Sequence, residues 1–200
     1  MPPGTDFEGV LEDGTRVRFR PIRPDDKQRL ARGLAQLSPT SRYLRFFRDV
    51  DHFTADQLRY LTEVDFVDHC AWIADLPDAP GGPAVGVARW IRSRDAPAEA
   101  EAAVIVADDL QGRGIGTALL WVLARSALER RVEAFRVAVM GENHPMLHLL
   151  TQTGARRGPW ESGVVEFLVP LTGELLGEPP TRLVLKAVAA GLGDTGQPRP

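Results

Sequence analysis

The 200-residue chain carries 24 lysines and arginines against 27 aspartates and glutamates, a net charge of −3, and 44% hydrophobic residues. That balance suits one compact domain and argues against a general nucleic-acid binder, which shows a basic excess. The longest apolar runs fall far short of the ~18 residues of a membrane span, the first residues lack the charged and apolar regions of a signal peptide, and a lone Cys70 excludes an internal disulfide and fits a reducing cytoplasm.

In chain order, Thr15-Arg16-Val17-Arg18-Phe19-Arg20 alternates basic and apolar residues, the period of a half-buried strand. Pro24 suits a first helical turn, and Asp25 and Asp26 complement the positive end of that helix, which runs to about Leu37. Ser38-Pro39-Thr40 reads as a cap and a second helix start. In its next turns Tyr43, Phe46 and Phe47 share a face, with Arg42, Arg45 and Arg48 beside them. Two readings fit that pattern, a solvated basic side or one wall of a substrate site. Thr54 caps a short third helix, residues 55–61. Residues 70–74 and 85–91 read as the two strands of an antiparallel hairpin around a proline- and glycine-rich loop at 77–83. The loop 93–97 then leads to an apolar, partly β-branched strand over 102–107.

Next comes the most distinctive stretch, Gln111-Gly112-Arg113-Gly114-Ile115-Gly116-Thr117, followed by a helix with Leu119, Val122, Leu123 and Ala127 on one apolar face. A glycine turn that opens a helix leaves backbone N–H groups unpaired, and such a terminus binds a phosphate or pyrophosphate. An ordinary tight turn is the alternative reading. The stretch has no lysine where a P-loop needs one, and Thr117 stands where a dinucleotide fingerprint has its third glycine. Beyond the helix, residues 134–139 form a strand, Asn143-His144-Pro145 opens a helix that Gly154 ends, and residues 164–169 form a last strand. A linker over 171–180, a candidate short helix over 181–190 and a disordered tail complete the chain.

The pattern Q-x-x-G-x-G resembles the acyl-coenzyme A pyrophosphate loop of the GNAT superfamily of N-acetyltransferases, and the element order matches that fold. The text from Val17 to Asp26, together with Leu37-Ser38-Pro39-Thr40-Ser41-Arg42-Tyr43-Leu44-Arg45-Phe46-Phe47, is similar to the GNAT domains of bacterial protein-lysine acetyltransferases. The high ratio of arginine to lysine also suits a GC-rich bacterial genome. The resemblance implies an α/β domain over 8–172 with a mixed, mostly antiparallel sheet of six to seven strands and helices on both faces. Residues 173–200 are then a linker with the 181–190 helix, a candidate for docking on a second subunit as a homodimer. No attached regulatory domain is expected, since nothing of that size fits before residue 10.

The resemblance also assigns chemistry. Acetyl-CoA is the cosubstrate and an amine the acceptor, with no metal and neither nucleic acid nor membrane as partner. The pyrophosphate falls to Gln111, Gly112, Arg113, Gly114, Ile115, Gly116 and Thr117, the pantetheine arm to Asn143, and thioester polarisation to a backbone N–H of Val104, Ile105 or Val106. A lysine amine is protonated at pH 7, at a cost of about 3.4 pK units or roughly 4.6 kcal/mol, so a base helps. The family's glutamate at the strand start falls on Glu101, where partial burial would raise its pKa. Glu99, on the same strand face, competes for the role, and a plain exposed strand end is the other reading. The tyrosine that many members use as a general acid is replaced here by Leu150. A thiol of pKa ~8.5 needs only about 2 kcal/mol of help at pH 7, so that loss is survivable. A small-molecule amine acetyltransferase and a non-catalytic acyl-CoA-binding module are the alternatives. His144 and His148 lack a third metal ligand in the sequence, and His69 and Cys70 point to opposite strand faces, which argues against a nucleophilic dyad.

Overall fold

The computed structural model describes residues 6–79, 81–151, 154–172 and 184–187. In chain order the elements are β1 (Phe7–Val10), β2 (Arg16–Pro21), a 3-10 turn (Pro24–Asp26), α1 (Lys27–Gln36), α2 (Pro39–Phe46), α3 (Ala55–Thr62), β3 (His69–Asp75), β4 (Gly86–Arg92), β5 (Glu99–Val106), a second 3-10 turn (Asp108–Leu110), α4 (Ile115–Leu128), β6 (Ala134–Met140), α5 (His144–Thr151), β7 (Arg156–Glu161), β8 (Val164–Pro170) and β9 (Val184–Ala187). The strands form one sheet in the order β7-β8-β6-β5-β4-β3-β2-β1-β9. Every neighbouring pair is antiparallel except β5 and β6, which α4 joins as a parallel crossover.

Helices cover both faces, and each does so through an apolar stripe. On one side Ile115, Leu119 and Leu123 of α4 are fully buried, and Leu150 of α5 joins the same core with Trp90, Ala102 and Phe135. On the other side Leu30 packs with Ile22, Ile73 and Ala84, while Leu34, Leu37 and Val50 gather Phe46, Phe53 and Ile105. β3 is buried along nearly its whole length, as a strand covered on two faces must be. The first helical segment starts as a 3-10 turn at Pro24–Asp26 before α1. Asp26 there accepts from the buried Arg20 at 2.8 and 2.7 Å, and Arg20 also donates to Asp75 at 3.1 Å. Burial alone would raise the Asp26 carboxyl, but the hydrogen bonds and charge of Arg20 outweigh it and hold the pKa low.

The sheet has nine strands rather than six to seven. β1 is only four residues long and escapes a periodicity reading; it is fixed by Phe7, whose ring stacks on Phe19 at 4.7 Å. β7 is an edge strand exposed at all six positions, so its sequence carries no buried face to read. The helix expected over 181–190 is corrected at Val184–Ala187, which pairs antiparallel with β1. The open edge of β1 offers backbone partners that Val184 and Leu185, good strand formers at the start of that segment, satisfy better as a strand. The remainder of that helix, the linker over 173–180 and the tail over 191–200 lie outside the described residues.

Candidate active site

The site begins at the glycine turn. Gly112 and Gly114 adopt φ of +72° and +91°, a region where side chains are strained. Gly114 is the N-cap of α4 and no side chain caps that end. The first amide of the helix with a partner is that of Ala118, which donates to Gly114 O at 3.0 Å. The N–H groups of Ile115, Gly116 and Thr117 therefore donate to no described residue, at the positive end of a helix. An uncapped terminus of this kind fits an anion cradle better than a plain turn. The flanking side chains brace it: Gln111 Nε2 donates to Val106 O at 3.1 Å, and Arg113 pairs with Asp13 at 2.5 Å. Asp13 is held down to about 2, chiefly by the Thr15 N–H, then by the Thr15 hydroxyl and Arg113.

Ahead of the turn, the sheet opens. β5 and β6 pair only from Glu99↔Ala134 to Glu101↔Arg136, and beyond Glu101 the two strands part. Backbone direction alternates along β5. Ala107 N–H donates to Val85 O on the β4 side, so the amides of odd-numbered residues face β4 and those of Val104 and Val106 face the split. Ile105, expected among the polarising amides, has its backbone turned to β4 and offers its side chain to the opposite face instead. The slot between β5 and β6 opens past Glu101, and Asn143 follows the end of β6 at the start of α5. There Asn143 Oδ1 accepts from Met146 N–H at 3.2 Å, which leaves its amide NH₂ as the outward donor.

Glu101 sits where the split begins. It is exposed rather than partly buried, and its carboxylate meets no described donor. Glu99 is different: Arg136 Nε donates to Glu99 Oε2 at 2.6 Å, so that carboxylate is already engaged.

Glu101 shares its strand face with Ile105 and, through the register Arg89↔Ala103, with Arg89 of β4. That face holds a cavity of about 60 Å³ between the sheet and α1 to α3, lined by Leu34, Arg45, Phe46, Phe53, Arg89 and Ile105 among others. The two readings of 39–47 thus divide by residue. Phe46 turns inward, edge-on to Phe53 at 5.8 Å, and Arg45 lines the cavity, while Tyr43 and Phe47 face solvent. Arg89 is 6% exposed and bonds His69 Nε2 at 3.0 Å and Leu61 O at 3.3 Å. Burial, with the Arg89 charge, pushes His69 down to about 4, so His69 is neutral at pH 7 and accepts from Arg89. The sequence signal for Arg89 was a lone charge at an inward position of an apolar strand.

One further contact reaches across the site. Asp108, in the turn between β5 and the glycines, accepts from Ser38 N–H and Oγ at 2.9 Å each and from Ser41 Oγ at 2.5 Å. It fixes the start of α2 to the approach of the glycine turn, and no local pattern announces it.

The remaining candidates carry no chemistry. Leu150 is buried in the core at the position of the missing tyrosine. Cys70 is fully buried, and burial pushes its thiol up to about 11. No group of three His, Cys, Asp or Glu that could hold a metal occurs among the described residues, and none of the described helices is long and apolar enough to cross a membrane.

Known proteins share this fold. A family model described as an acetyltransferase (GNAT) domain matches residues 16–156. The acetyltransferase Pat of Mycolicibacterium smegmatis is 34% identical over 189 residues, which cover 90% of this chain and 56% of that protein. The chain thus spans little more than half the length of this curated relative. Among solved structures, the GNAT domain of S. lividans PAT superposes with a TM-score of 0.74 at 34% identity, over 82% of this chain and 96% of that one. The cAMP-binding acyltransferase from Mycobacterium smegmatis gives 0.60 at 29% identity, over 88% of this chain and 49% of that one. With the uncapped glycine turn, the split between β5 and β6 and the family match over most of its length, this chain belongs to the GNAT acetyltransferase family.

Proposed function

We propose that the chain transfers the acetyl group of acetyl-CoA directly to a primary amine, with a protein lysine as the leading acceptor. The observation that carries this reading is the opening of β5 from β6 just ahead of an uncapped helix start. An extended pantetheine arm fits the slot as an added strand, its pyrophosphate on the N–H groups of residues 112–117 and its amides near Asn143. The amides of Val104 and Val106 face that slot and would donate to the thioester oxygen as it gains charge in the transition state. Glu101, the carboxylate without a described partner, takes the proton from the attacking amine directly or through water. Glu99 is the weaker candidate because Arg136 already neutralises it. The departing thiolate takes its proton from solvent, since no tyrosine stands at 150. The lysine acceptor rests on the likeness of residues 17–26 and 37–47 to the GNAT domains of bacterial protein-lysine acetyltransferases. A cytoplasmic site of action, where the buried Cys70 stays reduced, belongs to the same reading.

Thiol release from acetyl-CoA, followed on lysine peptides, folded proteins and polyamines, tests it. Saturable acetyl-CoA binding with no turnover on any amine would overturn the transferase reading in favour of a binding module. Glu101→Gln should lower kcat/KM about 100-fold at pH 7 and lose much of that deficit near pH 10, where the amine deprotonates unaided. A deficit that is constant with pH removes Glu101 as the base.

A further inference from the structure

Besides Arg89, the other buried arginine among the described residues is matched by carboxylates. Arg20, 3% exposed, is held by Asp26 and Asp75. The cavity under α1 to α3 breaks that pattern. Arg89 is nearly as buried, yet its only described partners are the neutral imidazole of His69 and a carbonyl. Arg45, on the same cavity, makes no hydrogen bond or ion pair with a described residue, and its guanidinium lies 5.0 Å from the Phe46 ring centre. Burial brings Arg45 down to about 10, and burial, followed by the Arg45 charge, brings Arg89 down to about 9, so both stay protonated at pH 7. Two neighbouring guanidiniums without a counter-charge make an unfavourable resting arrangement, and most of their donors are unused. A bound anion would satisfy both.

We propose that this cavity receives a carboxylate of the acceptor, held between Arg45 and Arg89 while the acceptor's amine lies at Glu101. The inference rests on the transfer reading and on the face that these residues share. Arg89 turns its guanidinium toward His69, and the register His69↔Ile91↔Glu101 sets that head group level with Glu101 across the sheet. Adjacent strands lie about 4.8 Å apart, so amine and carboxylate stand roughly 5–10 Å from one another. That span excludes α-amino acids reacting at the α-nitrogen. It fits an amine several methylenes from its carboxylate, as in free lysine reacting at its side chain, or a peptide lysine beside an acidic residue.

The test compares 6-aminohexanoate with hexylamine, which has the same chain without the carboxylate. Wild type should prefer 6-aminohexanoate about tenfold or more in kcat/KM, the worth of a charge-assisted pair, and Arg45→Met and Arg89→Met should each bring the ratio near unity. Equal use of the two amines by wild type, or a preference unchanged in both variants, overturns the proposal. Should Arg89→Met misfold, Arg45→Met carries the test, since its side chain has no described hydrogen bond to lose. Peptides pairing lysine with glutamate or glutamine distinguish the sources: an arginine-dependent preference on the peptides alone assigns the carboxylate to a protein acceptor. Calorimetry with hexanoate separates this site from catalysis. Binding that both substitutions abolish supports the anion site even if no amine is acetylated, and the absence of binding to wild type together with indifferent kinetics refutes it.

Discussion

His69 is a small switch that stability can report. Burial, aided by Arg89, holds its folded pKa near 4, against about 6.5 in an unfolded chain. Between those values the unfolded chain binds a proton that the folded one refuses, so the contribution to stability is whole above pH 6.5, declines as pH falls toward 4, and is spent below that. With the discount that partial exposure requires, the loss is roughly 1–2 kcal/mol. Denaturant unfolding at pH 7 and pH 4.5 should show it, and His69→Gln should flatten the difference. The carboxyls held low in this protein, Asp26, Asp65 and Asp108 among them, begin to lose their own contribution below about pH 5, as the unfolded chain's carboxyls protonate, so the comparison with His69→Gln at pH 4.5 isolates the histidine. The family resemblance had marked Glu101, with partial burial expected. Its exposure depends on what covers that face of the sheet, which elements distant in sequence decide. Arg89 and Asp108 escaped for the same reason, as their partners His69, Ser38 and Ser41 come from distant elements.

At the scale of elements, α1 and the loop before β4 meet at Gly33. A Cβ there would stand 2.8 Å from Ala84 O, a backbone atom that cannot swing aside, while Ala84 N–H donates to Arg29 O in the same contact. Alanine in place of glycine inside a helix gains about 1 kcal/mol in propensity. Forcing the helix off the carbonyl costs about 1–3 kcal/mol, so the clash wins. Gly33→Ala is expected to lower the melting temperature by several degrees and to loosen the cavity that Gly33 helps to line. Most elements were legible because their faces are asymmetric: α1, α4, β2 and β5 each bury one side or one stripe. β7 was not legible, since both of its faces are wet, and Val184–Ala187 was misread because an open strand edge decided its conformation. The glycine turn was legible in full, as backbone geometry there requires glycine at Gly112 and Gly114.

For the whole molecule, the split between β5 and β6 leaves one interior edge of the sheet without its ladder. Filling it with acetyl-CoA at about 100 times its dissociation constant adds roughly 2.7 kcal/mol, or some 5–10 °C of melting temperature in a chain of this length. Hydrogen exchange should slow most at the Val104 and Val106 amides and hardly change at Ile105, which already faces β4. Equal slowing at all three would contradict the alternation.

On the transfer reading, Asp108 joins the donor and acceptor regions. Its carboxylate belongs to the turn that leads into the pyrophosphate cradle, and its donors Ser38 and Ser41 belong to the helix that carries Arg45 and Phe46. A donor molecule that orders the cradle would then also order the roof of the acceptor cavity. By thermodynamic reciprocity an acceptor must then tighten donor binding by the same factor. The chain would then hold a cooperative pair of sites joined by one carboxylate, and Asp108→Asn should make the two ligands bind independently.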